Sequence, residues 1–438
     1  MFKRFKSFKC SNVLFSCLTV VALAGCSSKP PLPSQDDQLE KLEQAMSSGA
    51  YKTARNFAVA SQHDSWSQAG VELEVELLGP TTPGSYPLII YLPSLGEDAK
   101  AGRIWRETWA KAGYVVFSMQ SLPTSQALKA LEAERKYDDP LEEPRDEETE
   151  LADESMVARP EQESGSWFGE KPRKQSRTAR DSELRYVGHQ YFATDNLKKR
   201  LEQLYWAYQQ IQVRVGLKQA LFAQVDLSKV VVAGYDLGAQ TVAALAGEKF
   251  DSALPHSDTL KPLAALVLSP SVDLAEGSLR SRFQNLNIPM LTITGTEDND
   301  PYAISSASVR SAIWEHAPAG GKHLLMLQGA GHRLLAGNEM GGRFGLSYQR
   351  RLERSLGSLE SSASSNRRRS LDGDGQFGGL FGSNSRIDPD LGYKQVAAIA
   401  SVSTAFLDMQ IKHDEFAQAW LGEKATKWLG KAGTLQKR

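Results

Sequence analysis

Val230-Val231-Val232-Ala233-Gly234-Tyr235-Asp236-Leu237-Gly238-Ala239-Gln240-Thr241 runs from an unbroken apolar stretch, through two glycines, into an alanine-rich segment. Apolar residues in a row with no polar alternation predict a strand covered on both faces, as in a parallel sheet. The residues beyond Gly238 are helix formers, so the strand must turn sharply into a helix. Side chains at Gly234 and Gly238 would collide with the adjoining strand and helix, so glycine at both positions marks a turn tight enough to strain its central residue. That residue is Asp236. It is expected at the C-terminal edge of the sheet, at the start of a helix whose free amides favour negative charge.

The flanking sequence extends the same pattern. Leu88 to Leu92 is apolar throughout, Ile104 to Ala112 reads as a helix, and Tyr114 to Met119 as the next strand, which is a β-α-β arrangement. Val71 to Leu77 alternates apolar and acidic residues, predicting a half-exposed strand that pairs with Phe57 to Ala60. Leu197, Leu201, Leu204, Tyr208, Ile211 and Val215 are spaced at alternating fours and threes, the mark of a long amphipathic helix, capped near Thr194 or Asp195. Strands are expected at Lys229–Ala233, Ala264–Leu268, Met290–Thr294 and His323–Gln328. A helix from Tyr393 to Ile411 should close one sheet face, with Phe416 to Leu429 packing beside it and residues 431–438 as a tail. The fold class is therefore α/β, a mostly parallel central sheet with helices on both faces.

Two stretches break the pattern. Residues 126–185 crowd acidic side chains before basic ones, and 337–390 are rich in Ser, Arg and Gly. Neither carries the apolar spacing of a packed core, so both are expected to be disordered insertions. Asp372-Gly373-Asp374-Gly375 opens like a calcium loop, but its twelfth position is Ser383 where a bidentate Glu is needed, so calcium is rejected.

Lys3, Arg4, Lys6 and Lys9 precede an uncharged apolar run from Val13 to Ala24. This is the pattern of an export signal over residues 1–25, too short for a permanent transmembrane helix of about 20 residues. It ends in Leu23-Ala24-Gly25-Cys26, which resembles the bacterial lipobox. The resemblance implies cleavage before Cys26 and lipidation of its thiol. With Ser27 rather than Asp next, it also implies outer-membrane sorting, residues 26–50 forming a tether. Cys10, Cys17 and Cys26 are the only cysteines in the 438 residues, so a domain at 51–430 holds no disulfide, thiolate metal site or cysteine nucleophile. Loss of the four leader cations takes the formal charge from −1 to about −5, a poor match for nucleic acid. Membrane contact is expected through the lipid on Cys26.

Two further turns carry chemistry. Thr294-Gly295-Thr296-Glu297-Asp298 ends one strand with Asp298 at the sheet edge, Glu297 and Asp300 standing beside it as weaker candidates. Gly329-Ala330-Gly331-His332 ends the last predicted strand, its small residues letting His332 turn inward. Turn residue, acid and histidine follow in the chain order of the α/β-hydrolase superfamily. From about Tyr51 to Gly430, insertions apart, the chain resembles the cap-less branch of that superfamily, which holds dienelactone hydrolases, platelet-activating-factor acetylhydrolases and bacterial polyester hydrolases. The resemblance implies the α/β-hydrolase fold, a small ester substrate and a catalytic set of Asp236, His332 and Asp298. It also implies an oxyanion hole from the backbone N–H groups of Leu237 and Leu95. The chain departs from the branch in having Asp where the elbow carries Ser, and Pro93-Ser94 where the loop before Leu95 carries His-Gly. No cofactor is expected, since the elbow lacks a phosphate-binding glycine pattern and the mature chain lacks clustered His ligands.

Asp at an elbow changes the chemistry. A carboxylate that attacks an ester carbonyl builds a tetrahedral centre from which it leaves faster than an alkoxide, its conjugate acid having a pKa of about 4, so the reaction reverts. Asp nucleophiles suit displacement at saturated carbon, as in haloalkane dehalogenases and epoxide hydrolases, which this turn resembles in its Asp alone. Those branches carry Trp after the Asp, where this chain has Leu237. They also carry a helical cap, for which Ser269 to Ile288 leaves too little chain. Two readings stand: an ester-type hydrolase, or a catalytically silent lipoprotein that keeps the fold for binding. In the second, Asp236 would pair with His332 or serve as a helix N-cap.

Overall fold

A computed structural model of the chain describes residues 34–129, 177–338 and 390–438; the expected leader, Cys26 and most of both expected insertions lie outside the described residues. Among the described residues nine strands form one mixed sheet in the order β1-β2-β4-β3-β5-β6-β7-β8-β9. They are β1 (Val59–Gln68), β2 (Val71–Pro80), β3 (Tyr86–Leu92), β4 (Val115–Ser121), β5 (Val225–Tyr235), β6 (Ala264–Leu268), β7 (Met290–Glu297), β8 (Lys322–Gly331) and β9 (Gly433–Lys437). The six strands from β4 to β8 run parallel, while β2 is antiparallel to both its neighbours and β9 is antiparallel to β8.

Alternation along the central strands sorts side chains into two cores. Ile89, Tyr91, Val231, Ala233 and Tyr235 face one side, packed against Trp105, Trp109, Val396, Ile399 and Phe406. Leu88, Ile90, Val230 and Val232 face the other, against Leu204, Tyr208, Ile211 and Val242. Successive strand side chains point to opposite faces, so an all-apolar strand supplies both cores, which explains the unbroken runs in the sequence. The helices that cover the first face are α1 (Gln35–Ser47), α2 (Arg103–Lys111) and, later in the chain, Leu391–Ile411; those of the second include Thr194–Gly216 and Leu237–Ala246. Trp105 and Trp109 lie four residues apart on α2 and so share its buried stripe. Their indole N–H groups donate to Leu335 O and Ser403 Oγ, each at 2.9 Å.

Several boundaries differ from expectation. Residues 35–47, expected within the tether, form α1, closed by a Ser34 capping box and docked on Leu391–Ile411 through Leu42, Met46 and the Lys41–Asp390 ion pair at 2.6 Å. The first of the two charged insertions ends earlier than residue 185, because Arg177–Phe192 is helical. The partner of β2 is Val59–Gln68 rather than Phe57–Ala60. Thr194–Gly216 starts after Ala193 with no side-chain cap, so neither Thr194 nor Asp195 plays that part. Residues 433–437, expected as tail, are the edge strand β9. Among the described residues no helix is long and apolar enough to cross a membrane.

Candidate functional site

The turn after β5 is as tight as its glycines demand. A Cβ at Gly238 would overlap the carbonyl oxygen of Leu92 and lie 2.8 Å from that of Pro93, and a Cβ at Gly234 would run into the backbone of Gly238 and lie 2.8 Å from the Ala239 nitrogen. Between them Asp236 has φ 50° and ψ −106°, a region in which a side-chain-bearing residue is strained. Its N–H donates to Leu268 O at 3.0 Å, and its carbonyl accepts from Gln240 N at 3.1 Å. Although it occupies the N-cap position of Leu237–Ala246, its side chain makes no capping hydrogen bond. The carboxylate is instead aimed across the sheet edge.

Asp298 and His332 meet it there. His332 Nδ1 lies 2.8 Å from Asp298 Oδ1, while Nε2 lies 3.8 Å from Asp236 Oδ1. That second distance is too long for a hydrogen bond. Asp236 Oδ1 is buried without a hydrogen-bond partner, whereas Oδ2 accepts from Ser94 Oγ at 2.6 Å. Asp236 and Asp298 are both fully buried as residues, and the His332 side chain is 11% exposed. The ring of His332 rests on that of Tyr235, centroids 5.1 Å apart, and the Tyr235 hydroxyl donates to the His332 carbonyl at 2.9 Å. Of the weaker acidic candidates, Glu297 stays in β7 opposite Gly331. Asp300 is occupied by backbone N–H groups of Tyr302, Ile304 and Ser305.

Asp298 is held by more than the histidine. Thr294 Oγ1 donates to its Oδ2 at 2.7 Å and Ser269 Oγ to its Oδ1 at 2.7 Å, the same Ser269 Oγ lying 2.8 Å from His332 Nδ1. Arg310, wholly buried, donates from Nε to the Asp298 carbonyl at 2.6 Å and from Nη1 to the carbonyls of Ser269 and Pro270 at 2.8 Å each. Its Nε also lies 3.3 Å from Asp298 Oδ1, and Nη2 3.7 Å from Asp300 Oδ2. Burial pushes the Asp298 carboxyl up, but the His332 hydrogen bond, the charges of Arg310 and His332, and the Thr294 hydroxyl together hold it below its ordinary value. Asp236 goes the other way: burial dominates and pushes it up, against the attraction of His332 and Arg310 and the Ser94 hydrogen bond. The two carboxylates on either side of one imidazole thus differ in kind. Asp298 is shifted down and Asp236 up.

The predicted oxyanion residues also converge. Leu95 and Leu237 are buried in one cluster with Phe192 and Tyr302. Among the described residues neither backbone N–H has an acceptor. Ser94 is pinned just ahead of Leu95, its N–H donating to Glu97 Oε2 and its carbonyl accepting from Gln120 Nε2, both at 3.0 Å. Glu97 is partly exposed as a residue while its carboxyl is enclosed, and that enclosure pushes the carboxyl up to about 7 against hydrogen bonds from Ser94 and Asn338. A cavity of about 140 Å³ lies beside the elbow helix, lined in part by Phe192, Gln240, Ser271, Arg282 and Ile304. Ser94, Ser269, Glu97 and Arg310 join the site without having been expected there from sequence. Ser94 stood out only as a departure from His-Gly, and Arg310, in a polar stretch after β7, carried no signal at all. Among the described residues no group of His, Cys, Asp and Glu is arranged to hold a metal ion.

In comparisons with known proteins, no family model matches the chain, and no curated protein is significantly similar to it.

Proposed function

We propose that the chain is a hydrolase of the α/β-hydrolase fold that acts on small carboxylic esters, with Asp236, His332 and Asp298 as its polar centre. The observation that carries this reading is the paired environment of His332, which has an anchored anion at Nδ1 and, facing Nε2, an unpartnered carboxylate oxygen on a strained turn. A scaffold has no need of either arrangement. The strand order, the antiparallel β2, and the positions of Asp236 after β5, Asp298 after β7 and His332 after β8 support the fold assignment. The acceptor-free N–H groups of Leu95 and Leu237 support an oxyanion site.

In this reading Asp236 carries protons rather than carbon, because a carboxylate attacking a carbonyl is itself the better leaving group. Burial raises its proton affinity towards that of a useful base, and Asp298 holds His332 in orientation behind it. The protein is further proposed to sit at the outer membrane through a lipid on Cys26. A second reading, a silent binding lipoprotein, is favoured by one observation: Asp236 is fully buried and already shares its Oδ2 with Ser94.

The test is hydrolysis of p-nitrophenyl butyrate by the full chain in detergent, comparing wild type with His332→Ala and Asp236→Ser. The proposal expects wild-type turnover that falls by about 10²–10⁴-fold in His332→Ala. An inert wild type beside an active Asp236→Ser variant would overturn it in favour of the silent reading.

A further inference from the structure

We propose that Ser94 is the nucleophile of this site and that Asp236 is its base, an assignment that rests on ester hydrolysis as the reaction. The Ser94 hydroxyl donates to Asp236 Oδ2 at 2.6 Å, the short distance of a charge-assisted O–H···O⁻ bond. Nucleophile and base within hydrogen-bond reach, the base in turn backed by another group, is the arrangement that activates a hydroxyl. Here the group facing the base is His332, whose Nε2 lies 3.8 Å from Asp236 Oδ1 and whose Nδ1 is held by Asp298; its charge acts on Asp236 without a hydrogen bond. Elsewhere in the superfamily the elbow residue itself attacks. In this chain the elbow holds a group unfit to attack a carbonyl, and the neighbouring loop holds a hydroxyl directed at it.

Ser94 is also held as a reacting group needs to be. It is 4% exposed, and its N–H, carbonyl and hydroxyl are bound to Glu97, Gln120 and Asp236, three residues from separate elements.

The steps balance. Ser94 Oγ bonds to the carbonyl carbon as its proton passes to Asp236 Oδ2. The carbonyl oxygen takes the negative charge, which the N–H groups of Leu95 and Leu237, next in sequence to Ser94 and Asp236, are free to receive. As the tetrahedral centre collapses, the bond to the alcohol oxygen breaks and that oxygen takes the proton from Asp236, leaving acyl-Ser94. Water then attacks the acyl carbon, giving its proton to Asp236. When the bond to Ser94 Oγ breaks, the serine recovers that proton and the free acid is released.

The full chain in detergent is treated with a fluorophosphonate ester and mapped by peptide mass spectrometry, alongside p-nitrophenyl butyrate turnover of wild type, Ser94→Ala and Ser94→Cys. The expected result is one adduct, on the Ser94 peptide. Turnover should fall by at least about 10²-fold in Ser94→Ala and return in part in Ser94→Cys. A single turnover in ¹⁸O-water should place the label in the released acid and none in the Asp236 peptide. Ester turnover that survives Ser94→Ala within threefold, or ¹⁸O recovered in Asp236, overturns the assignment of Ser94 and leaves ester hydrolysis standing. No turnover together with no adduct on the wild type removes both. Because the adduct is read on the wild-type chain, the assignment can be tested even if the variants fail to fold.

Discussion

Replacing Arg310 with Met tests whether the buried charge network around Asp298 has the character assigned to it. The guanidinium is wholly buried and serves three backbone carbonyls, of Asp298, Ser269 and Pro270, at 2.6 to 2.8 Å, while lying 3.3 Å from Asp298 Oδ1 and 3.7 Å from Asp300 Oδ2. Met fills much of the stem volume but leaves two enclosed carboxylates without their cation and three carbonyls without a donor. Summing three charged hydrogen bonds overstates the loss, since Arg310 itself gives up hydration when buried. Removing one partner of a buried pair costs about 3–5 kcal/mol, which is a hundred- to several-thousand-fold in the unfolding equilibrium. Arg310→Lys should recover little, because an ammonium cannot reproduce the fork.

The assay is urea unfolding followed by tryptophan fluorescence at several pH values. Asp298 has a depressed folded-state pKa, so the stability it confers is present above its ordinary value near 3.8 and is lost as pH falls through the folded value. Without Arg310 that depression shrinks, so the acid-dependent loss contributed by Asp298, which sets in near its ordinary value, should be smaller than in wild type. A variant less than about 1 kcal/mol weaker at pH 7, with an unchanged urea slope and an unchanged acid limb, would refute the reasoning.

Gly238→Ala should fail to give stable protein at 37 °C, because its Cβ would occupy the Leu92 carbonyl; a thermal melt within a few degrees of wild type would contradict the packing described. Glu97→Gln should flatten one segment of the stability curve. With its carboxyl raised from the ordinary 4.5 to about 7, the folded protein binds the extra proton between those values, so wild-type stability falls as pH rises through them, and the variant should lack that slope in calorimetry. Arg282→Leu strands Glu248, which now meets the guanidinium at 2.6 and 3.0 Å and is already pushed up to about 7 by burial. A loss of about 3–5 kcal/mol at pH 8 that shrinks towards pH 5, as Glu248 takes a proton, is expected in denaturant titrations.

The central strands, the elbow and the relation of Asp298 to His332 were legible because each leaves a pattern in neighbouring residues. Apolar runs announce β3, β5 and β6, glycines four apart announce the turn, and small residues before His332 announce its entry. What could not be read has a physical cause as well. β9 is five residues, Gly-Thr-Leu-Gln-Lys, with only Leu435 as an apolar marker, and it is a strand because β8 offers it an edge. A short charged helical stretch was legible where α1 lies, but its docking on Leu391–Ile411 through Leu42, Met46 and the Lys41–Asp390 ion pair was not, because so few of its residues are apolar. Arg310 and Ser269 reach Asp298 across the loops that follow β6 and β7, a proximity that exists only once those strands lie side by side. Ser94 needed its partner's position before its hydroxyl had a direction.

The two rims of the sheet have a consequence for how copies of this protein meet. Six parallel strands would, if open at either side, offer backbone groups to any strand that came near. One rim is closed by β1, whose outward run includes exposed His63, Asp64 and Ser65. The other is closed by β9, whose Lys437 is exposed and whose neighbour Arg438 exchanges backbone hydrogen bonds with Lys322. Polar, charged margins of this kind discourage lateral zippering. Among the described residues, neither rim of the sheet therefore favours addition of a further strand.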